Sequence, residues 1–431
     1  MTSRRAVWAL GAVAVLVVAA LVSAAAIAWL SVRDGSAPQT GAPAVTGAVG
    51  TGPGVGEYLV RAGNCEGCHT ARGGARFAGG RAIETPFGIV FSSNLTPDAS
   101  GLGGWSSDDF WRALHNGRSR DGHLLYPAFP YPNYTGLARA DADAMFAYLK
   151  TVTPVAQANK AHALGFPFDQ QAALAVWRAL FFRPASFQPE PSRSPDWNRG
   201  AYLVETLGHC NACHSQRNVF GATADPLDLA GGLIPMQNWY APSLTDAAEA
   251  SVADWPVADI VALLKTGVTE RATVQGPMAE VVAGSTQYLH DSDLAAMATY
   301  LKALPVRPVN IVATDDAAAP AIAAAGQQLY ETHCSACHGD QGAGVAGAYP
   351  ALAGNRAVAL TPAVNLVHVV LRGGFAPSTA GNPRPFGMPP FATVLTDAEV
   401  ASVLTYLRSA WGNRAAPITT LDVSRYRGAA D

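Results

Sequence analysis

The chain has 431 residues, of which 49% are apolar and only 14% charged, with a formal net charge of −3. So sparse a charge set leaves no broad basic footprint and excludes a nucleic-acid partner. The length predicts about three domains at ~100–200 residues each.

Residues 1–5 carry Arg4 and Arg5, and the stretch 6–32, from Ala6 to Val32, has no charge. At about 1.5 Å per residue it spans about 40 Å, more than the ~30 Å hydrocarbon core of a bilayer. Signal-peptide apolar regions run only about 7–15 residues. Trp8 and Trp29 lie near the two ends, where interfacial aromatics are expected. An uncleaved, single-pass transmembrane anchor is predicted, with Ser23-Ala24-Ala25-Ala26 leaving a cleaved leader as the alternative. The positive-inside rule places 1–5 in the cytoplasm and the rest across the membrane. Residues 33–54 are mostly Gly, Ala, Pro, Thr, Ser and Val and read as a flexible linker.

Beyond the linker the chain repeats. A first unit, 55–155, opens with Gly56-Glu57-Tyr58-Leu59, carries Cys65-Glu66-Gly67-Cys68-His69 and closes with a helix from Asp141 to Tyr148-Leu149-Lys150. Segment 156–194 holds a helical pattern from Gln171 to Phe182 and then a proline-rich linker from Pro184. A second unit, 195–305, repeats the plan with Gly200-Ala201-Tyr202-Leu203, Cys210-Asn211-Ala212-Cys213-His214 and a helix from Asp293 to Tyr300-Leu301-Lys302. After a linker, 306–321, a third unit at 322–412 has Gly326-Gln327-Gln328-Leu329-Tyr330, Cys334-Ser335-Ala336-Cys337-His338 and a helix from Glu399 to Tyr406-Leu407-Arg408. Residues 413–431 read as a C-terminal tail. The acid opening each closing helix and the base near its end suit the helix macrodipole.

The three C-x-x-C-H motifs use every cysteine in the chain. This is the attachment signature of c-type haem: two thiols form thioethers with one porphyrin, and the next residue presents an imidazole to the iron. Zinc binding would need four ligands brought together, and a redox dithiol has no use for the repeated histidine. Three covalently bound haem c groups are expected, on Cys65 and Cys68, Cys210 and Cys213, and Cys334 and Cys337. Covalent haem attachment in bacteria takes place on the side to which the anchor delivers the chain, so the expected location is the periplasmic face of the inner membrane.

With these motifs stand Asn94-Leu95-Thr96-Pro97-Asp98, Pro127-Ala128-Phe129-Pro130-Tyr131, Tyr240-Ala241-Pro242-Ser243-Leu244-Thr245, Gly276-Pro277-Met278-Ala279-Glu280-Val281-Val282 and Gly387-Met388-Pro389-Pro390-Phe391. From about Gly56 to Trp411 the chain resembles the triple-haem cytochrome c subunits of bacterial membrane-bound dehydrogenases. These partner quinoprotein alcohol dehydrogenases and flavin-dependent gluconate, sorbitol and fructose dehydrogenases. The resemblance implies a mainly α fold of three tandem class I cytochrome c domains after an N-terminal transmembrane helix. It implies an electron-transfer subunit with no catalysis of its own, served by a separately encoded catalytic subunit of flavin, quinoprotein or molybdenum type. Quinone, another cytochrome or a terminal oxidase would accept the electrons. A haem enzyme that reacts with peroxide or a gas at an open first haem, and a cytochrome subunit of a terminal oxidase, are the other function classes.

His69, His214 and His338 are the expected proximal ligands. Met278 and Met388 precede Tyr300 and Tyr406 by similar spans in proline-containing loops, and are assigned as sixth ligands of the second and third haems. The matching window before Tyr148 holds Phe129, where the family carries methionine between Pro-Ala and Pro-Tyr. The first haem is read as five-coordinate or water-ligated. His115 and His123, each otherwise an exposed loop residue, and Met145, otherwise a packing residue like Met297, are the other candidates for that position. His209 and His333 are read as surface residues beside a haem edge, and His162, His290 and His368 carry no motif.

Overall fold

The structure, a computed structural model, describes residues 54–223, 229–307 and 320–428, with six helical positions between Val22 and Trp29. The expected anchor at 6–32 and linker at 33–54 lie almost wholly outside the described residues. Among the described residues no helix is long and apolar enough to cross a membrane.

Three helix pairs organise the chain. The opening helices are Val55–Ala62, Pro195–Tyr202 and Pro320–His333, and the closing helices Arg139–Leu149, Asp291–Lys302 and Asp397–Ser409. Local chemistry starts them: Ser194 caps Pro195–Tyr202 by accepting from the Trp197 amide, and Thr396 and Glu399 form a capping box. Each pair crosses at a glycine that faces the closing tyrosine. A methyl on Gly56 would meet the Ala144 carbonyl at 2.1 Å, one on Gly200 the Ala296 carbonyl at 2.0 Å, and one on Gly326 the Ser402 carbonyl at 2.2 Å. Only hydrogen fits there. Gly326→Val is therefore expected to force the third pair apart and to cost at least about 3 kcal/mol, the upper end for overpacking, which thermal unfolding of the holoprotein will read as a lowered Tm.

Between each motif and its closing helix lies a short antiparallel ribbon. The first joins Ala82–Thr85 to Gly88–Phe91 and adds Ala163–Leu164; the others pair Gly232–Ile234 with Trp239–Ala241 and Gly374–Phe375 with Gly387–Met388. Helix Gln171–Phe181 forms where expected. It bridges the first two units: Gln171 accepts from the Leu124 amide at 2.7 Å, and the Trp177 indole donates to the Phe220 carbonyl at 2.9 Å.

The cores are two. Tyr58, Leu59 and Leu149 of the first unit and Tyr202, Leu207 and Leu294 of the second belong to one apolar cluster, whereas the third unit has its own around Val367, Val400 and Leu404. The first two units also exchange hydrogen bonds about a pseudo-two-fold relation. The Tyr58 hydroxyl donates to Asp293 at 2.5 Å and accepts from the His290 amide; the Tyr202 hydroxyl donates to Asp141 at 2.5 Å and accepts from the Ala138 amide. Those acids do lie in the first turns of their helices, as the macrodipole reading has it, and they also reach across the interface, whereas Glu399 is a local cap. Asp293 further takes both ends of the Arg199 guanidinium at 2.9 and 2.8 Å, with neither side chain reaching solvent appreciably.

The reading of 413–431 as a tail is also corrected. Residues Thr420–Arg427 form a helix behind a Thr419/Asp422 capping box, burying Val423 and tying Arg427 to Asp397 of the closing helix. The third unit meets the second through Asn365, whose side chain pairs with both backbone groups of Tyr240 at 2.8 and 2.7 Å.

Candidate haem sites

Each C-x-x-C-H motif coils into a helical turn at the end of its opening helix: Cys65–His69, Asn211–His214 and Ser335–His338. One turn brings two cysteines and a histidine to a common side, as attachment to one porphyrin requires. No disulfide forms among the six cysteines. Among the described residues no three His, Cys, Asp or Glu side chains gather as a metal cluster, so the pairs are not completed as zinc sites. Burial, and then the neighbouring cysteine, pushes the Cys65 and Cys210 thiols up to about 12 and Cys334 up to about 11. Burial of this kind favours an uncharged sulfur, and the thioether formed on haem attachment is one.

The histidines carry the clearest geometry. Nδ1 of His69 lies 2.7 Å from the Ser93 carbonyl, Nδ1 of His214 2.7 Å from the Pro242 carbonyl, and Nδ1 of His338 3.0 Å from the Pro350 carbonyl. A carbonyl can only accept, so Nδ1 carries the proton and Nε2 keeps its lone pair. Burial lowers all three pKa values and favours the neutral ring. An imidazole with one nitrogen donating to the backbone is fixed in tautomer and orientation for metal ligation through the other. Behind each ring the chain turns through a left-handed glycine, Gly79, Gly231 or Gly344, whose amide donates at 2.8 Å to the carbonyl of the same histidine. The residues at these motifs fit haem c.

The expected sixth-ligand residues are placed differently. Met278 is not in a loop: it follows Pro277 in the first turn of the helix Gly276–Gly284 and packs on the core shared by the first two units. That helix approaches the first motif, where Glu280 pairs with Arg81 at 3.1 Å and Arg81 also binds the Gly67 carbonyl. Met388 ends a two-residue strand and packs on the third core. Phe129 packs on the shared core, 5.5 Å from the Tyr134 ring, and the Tyr134 hydroxyl donates at 3.0 Å to the Gly63 carbonyl beside the first motif.

The other first-site candidates lie elsewhere. His115 is not an exposed loop residue but a buried one in helix Ser107–Asn116, stacked on Trp111 at 4.6 Å and hydrogen-bonded to the Thr135 backbone. His123 is half exposed, with Nδ1 2.5 Å from Asp121. Met145 is fully buried in the closing helix, as Met297 is in its own. His209 is not a surface residue either, since it packs against Tyr134 of the first unit at 5.6 Å. Its neighbours draw the first two motifs together: Asn133 donates to Glu205 and Asn211 at 2.7 and 2.5 Å, and Cys68 is near enough to Cys213 to raise its pKa further.

Residues 55–153 and 323–411 match the cytochrome c family model. The chain is 37% identical over 394 residues to the cytochrome c subunit of a quinone alcohol dehydrogenase from Gluconacetobacter polyoxogenes, covering 86% of this chain and 83% of that one. It is 37% identical over 390 residues to the gluconate 2-dehydrogenase cytochrome c subunit of Pantoea cypripedii, covering 86% and 88%, and 34% identical over 401 residues to the fructose dehydrogenase cytochrome subunit of Gluconobacter japonicus, covering 86% and 82%.

The chain belongs to the cytochrome c subunits of dehydrogenases.

As such a cytochrome subunit it transfers electrons, and substrate oxidation is the task of another subunit. The peroxide- or gas-reactive and terminal-oxidase readings have no counterpart among these relatives. What the motifs could not name were the carbonyls that orient the histidines. Two of the three nevertheless sit in or beside segments singled out for their resemblance: Ser93 precedes Asn94-Leu95-Thr96, and Pro242 precedes Ser243-Leu244-Thr245.

Proposed function

We propose that the cytochrome subunit holds three haems, one in each of the units 55–155, 195–305 and 322–412, and conducts electrons from a dehydrogenase catalytic subunit to quinone or another respiratory carrier. It would do so at the periplasmic face of a bacterial inner membrane, tethered by residues 6–32. The observation that supports three haems is the same histidine–carbonyl–glycine arrangement repeated at His69, His214 and His338. Haem c, when bound, supplies reversible one-electron chemistry.

The chain's own part is to hold and orient. Cys65 with Cys68, Cys210 with Cys213, and Cys334 with Cys337 would fix the porphyrins, and the three histidines would ligate through Nε2. Met278 and Met388 are the proposed sixth ligands of the second and third sites, whereas Phe129 brings no donor atom to the first. Contact of the first two units around Tyr134, His209 and Asn133 favours direct exchange between their sites.

A pyridine haemochrome assay should give three haems per chain, and a count of two or one would sink the proposal. Met278→Ala and Met388→Ala are each expected to leave that count unchanged and to lower the potential of one haem only, because the thioether favours the reduced iron. A redox titration in which either variant matches the parent would remove that methionine from the ligand set.

A further inference from the structure

We propose that the outer face of helix Gln171–Phe181, with the loops beside it, lies in the interfacial layer of the lipid bilayer, as a second membrane contact beside the N-terminal segment. This rests on the membrane reading given above and adds to it a surface of the folded units.

The helix is built the wrong way round for water. Its sequence, Gln171-Ala172-Ala173-Leu174-Ala175-Val176-Trp177-Arg178-Ala179-Leu180-Phe181, has one charge, and that charge points inward. Arg178 is buried over the rings of Tyr131 and Phe182 at 5.3 and 4.7 Å. Val176 and Leu180 face out instead, the latter 64% exposed. A helix with apolar residues on all sides is stable only when something apolar covers it.

The face does not end with the helix. Phe166 is 83% exposed and Val219 85%, and Phe168 and Phe220 are exposed as well. The second of these loops is held against the helix, since Trp177 donates to the Phe220 carbonyl and the Phe181 and Phe220 rings are 5.8 Å apart, while the Phe168 ring lies tilted to Phe87 at 4.5 Å. Scattered apolar residues on a surface are ordinary, but a continuous patch marks a contact.

Its neighbour identifies the occupant as lipid. Ile27, inside the uncharged N-terminal run, packs on Leu124 and on Leu174 and Ala175, the inner side of this same helix, so the segment that is to enter the bilayer meets the helix whose outer face is Val176 and Leu180. Arg183 stands exposed at the end of the helix, pinned to the Ala179 and Phe182 carbonyls, where a headgroup phosphate would meet a cation. Asp169 is the exposed acid at the opposite end.

The test uses the full-length holocytochrome in phosphatidylcholine/phosphatidylglycerol vesicles, photolysed with an apolar carbene-generating probe dissolved in the lipid, and peptide mapping of the adducts. Adducts on 164–183 and 219–220 are expected at several-fold the level on the closing helix Asp397–Ser409. The double variant Leu180→Glu/Val219→Glu should lose them while keeping those on 6–32. Should that variant fail to load haem, labelling of the parent protein decides alone. Adducts confined to 6–32 overturn the patch and leave the anchor standing. Adducts on the patch with none on 6–32 support the patch and overturn the anchor. No adducts anywhere, with the protein left in the aqueous fraction, overturn both. A patch unlabelled from lipid but shielded from a water-soluble carbene probe by the catalytic subunit assigns the surface to that partner and overturns the proposal.

Discussion

Asp293→Ala is expected to destabilise the first two units by about 3–5 kcal/mol, the cost of removing one partner from a buried ion pair. The carboxylate is fully buried, holds both ends of the Arg199 guanidinium and accepts the Tyr58 hydroxyl from the other unit. Its removal strands a buried cation and a buried phenol together. Urea unfolding of the holoprotein followed by haem absorbance will measure the loss.

The pseudo-symmetric Asp141 should behave otherwise, and the contrast tests the argument. Burial raises its pKa, outweighing the Tyr202 hydrogen bond and the more distant charge of Arg199, which is hydrogen-bonded to Asp293. A carboxyl whose folded pKa lies above its unfolded value gives full stabilisation only below the unfolded pKa and loses it as pH rises through the folded one. At neutral pH the ionised Asp141 is therefore a cost, and Asp141→Asn, which still accepts from Tyr202, is expected to be neutral or slightly stabilising. Equal losses in Asp293→Ala and Asp141→Asn would show that the Arg199 pair is not what distinguishes the two halves.

The second large effect is expected at Phe129. Phe129→Met places a thioether in the window where Met388 and Met278 stand in the other units. The potential of one haem should rise by on the order of a tenth of the ~0.8 V range that axial ligands command, and carbon monoxide binding by the reduced parent protein should disappear in the variant. The parent's other candidates are engaged elsewhere: His115 with Trp111 and Thr135, His123 with Asp121, and Met145 inside the core. A parent protein that is wholly low-spin when reduced and binds no carbon monoxide would show that one of them is recruited after all.

The motifs, the opening and closing helices and the crossing glycines were legible because each is written within a few turns of chain. The exchange between Tyr58 and Asp293 was not, since its partners are 235 positions apart and an acid near a helix start already satisfies a local rule. Gly276-Pro277 reads as a loop, yet proline is tolerated in the first turn of a helix, where the amide it lacks would have no partner, and Met278 sits inside one. The C-terminal helix was hidden by Gly412 and Pro417, although Thr419-Thr420-Leu421-Asp422 spells its cap. The carbonyls that orient the histidines carry no side-chain signature at all.

That separation of 235 positions also sets an order of assembly. Synthesis runs from the N-terminus, so Tyr58 waits for its acceptor until nearly all of the second unit has been made. The flank of the first unit thus stays bare until the second docks and seals it. The third unit, with its own core, could mature on a separate clock.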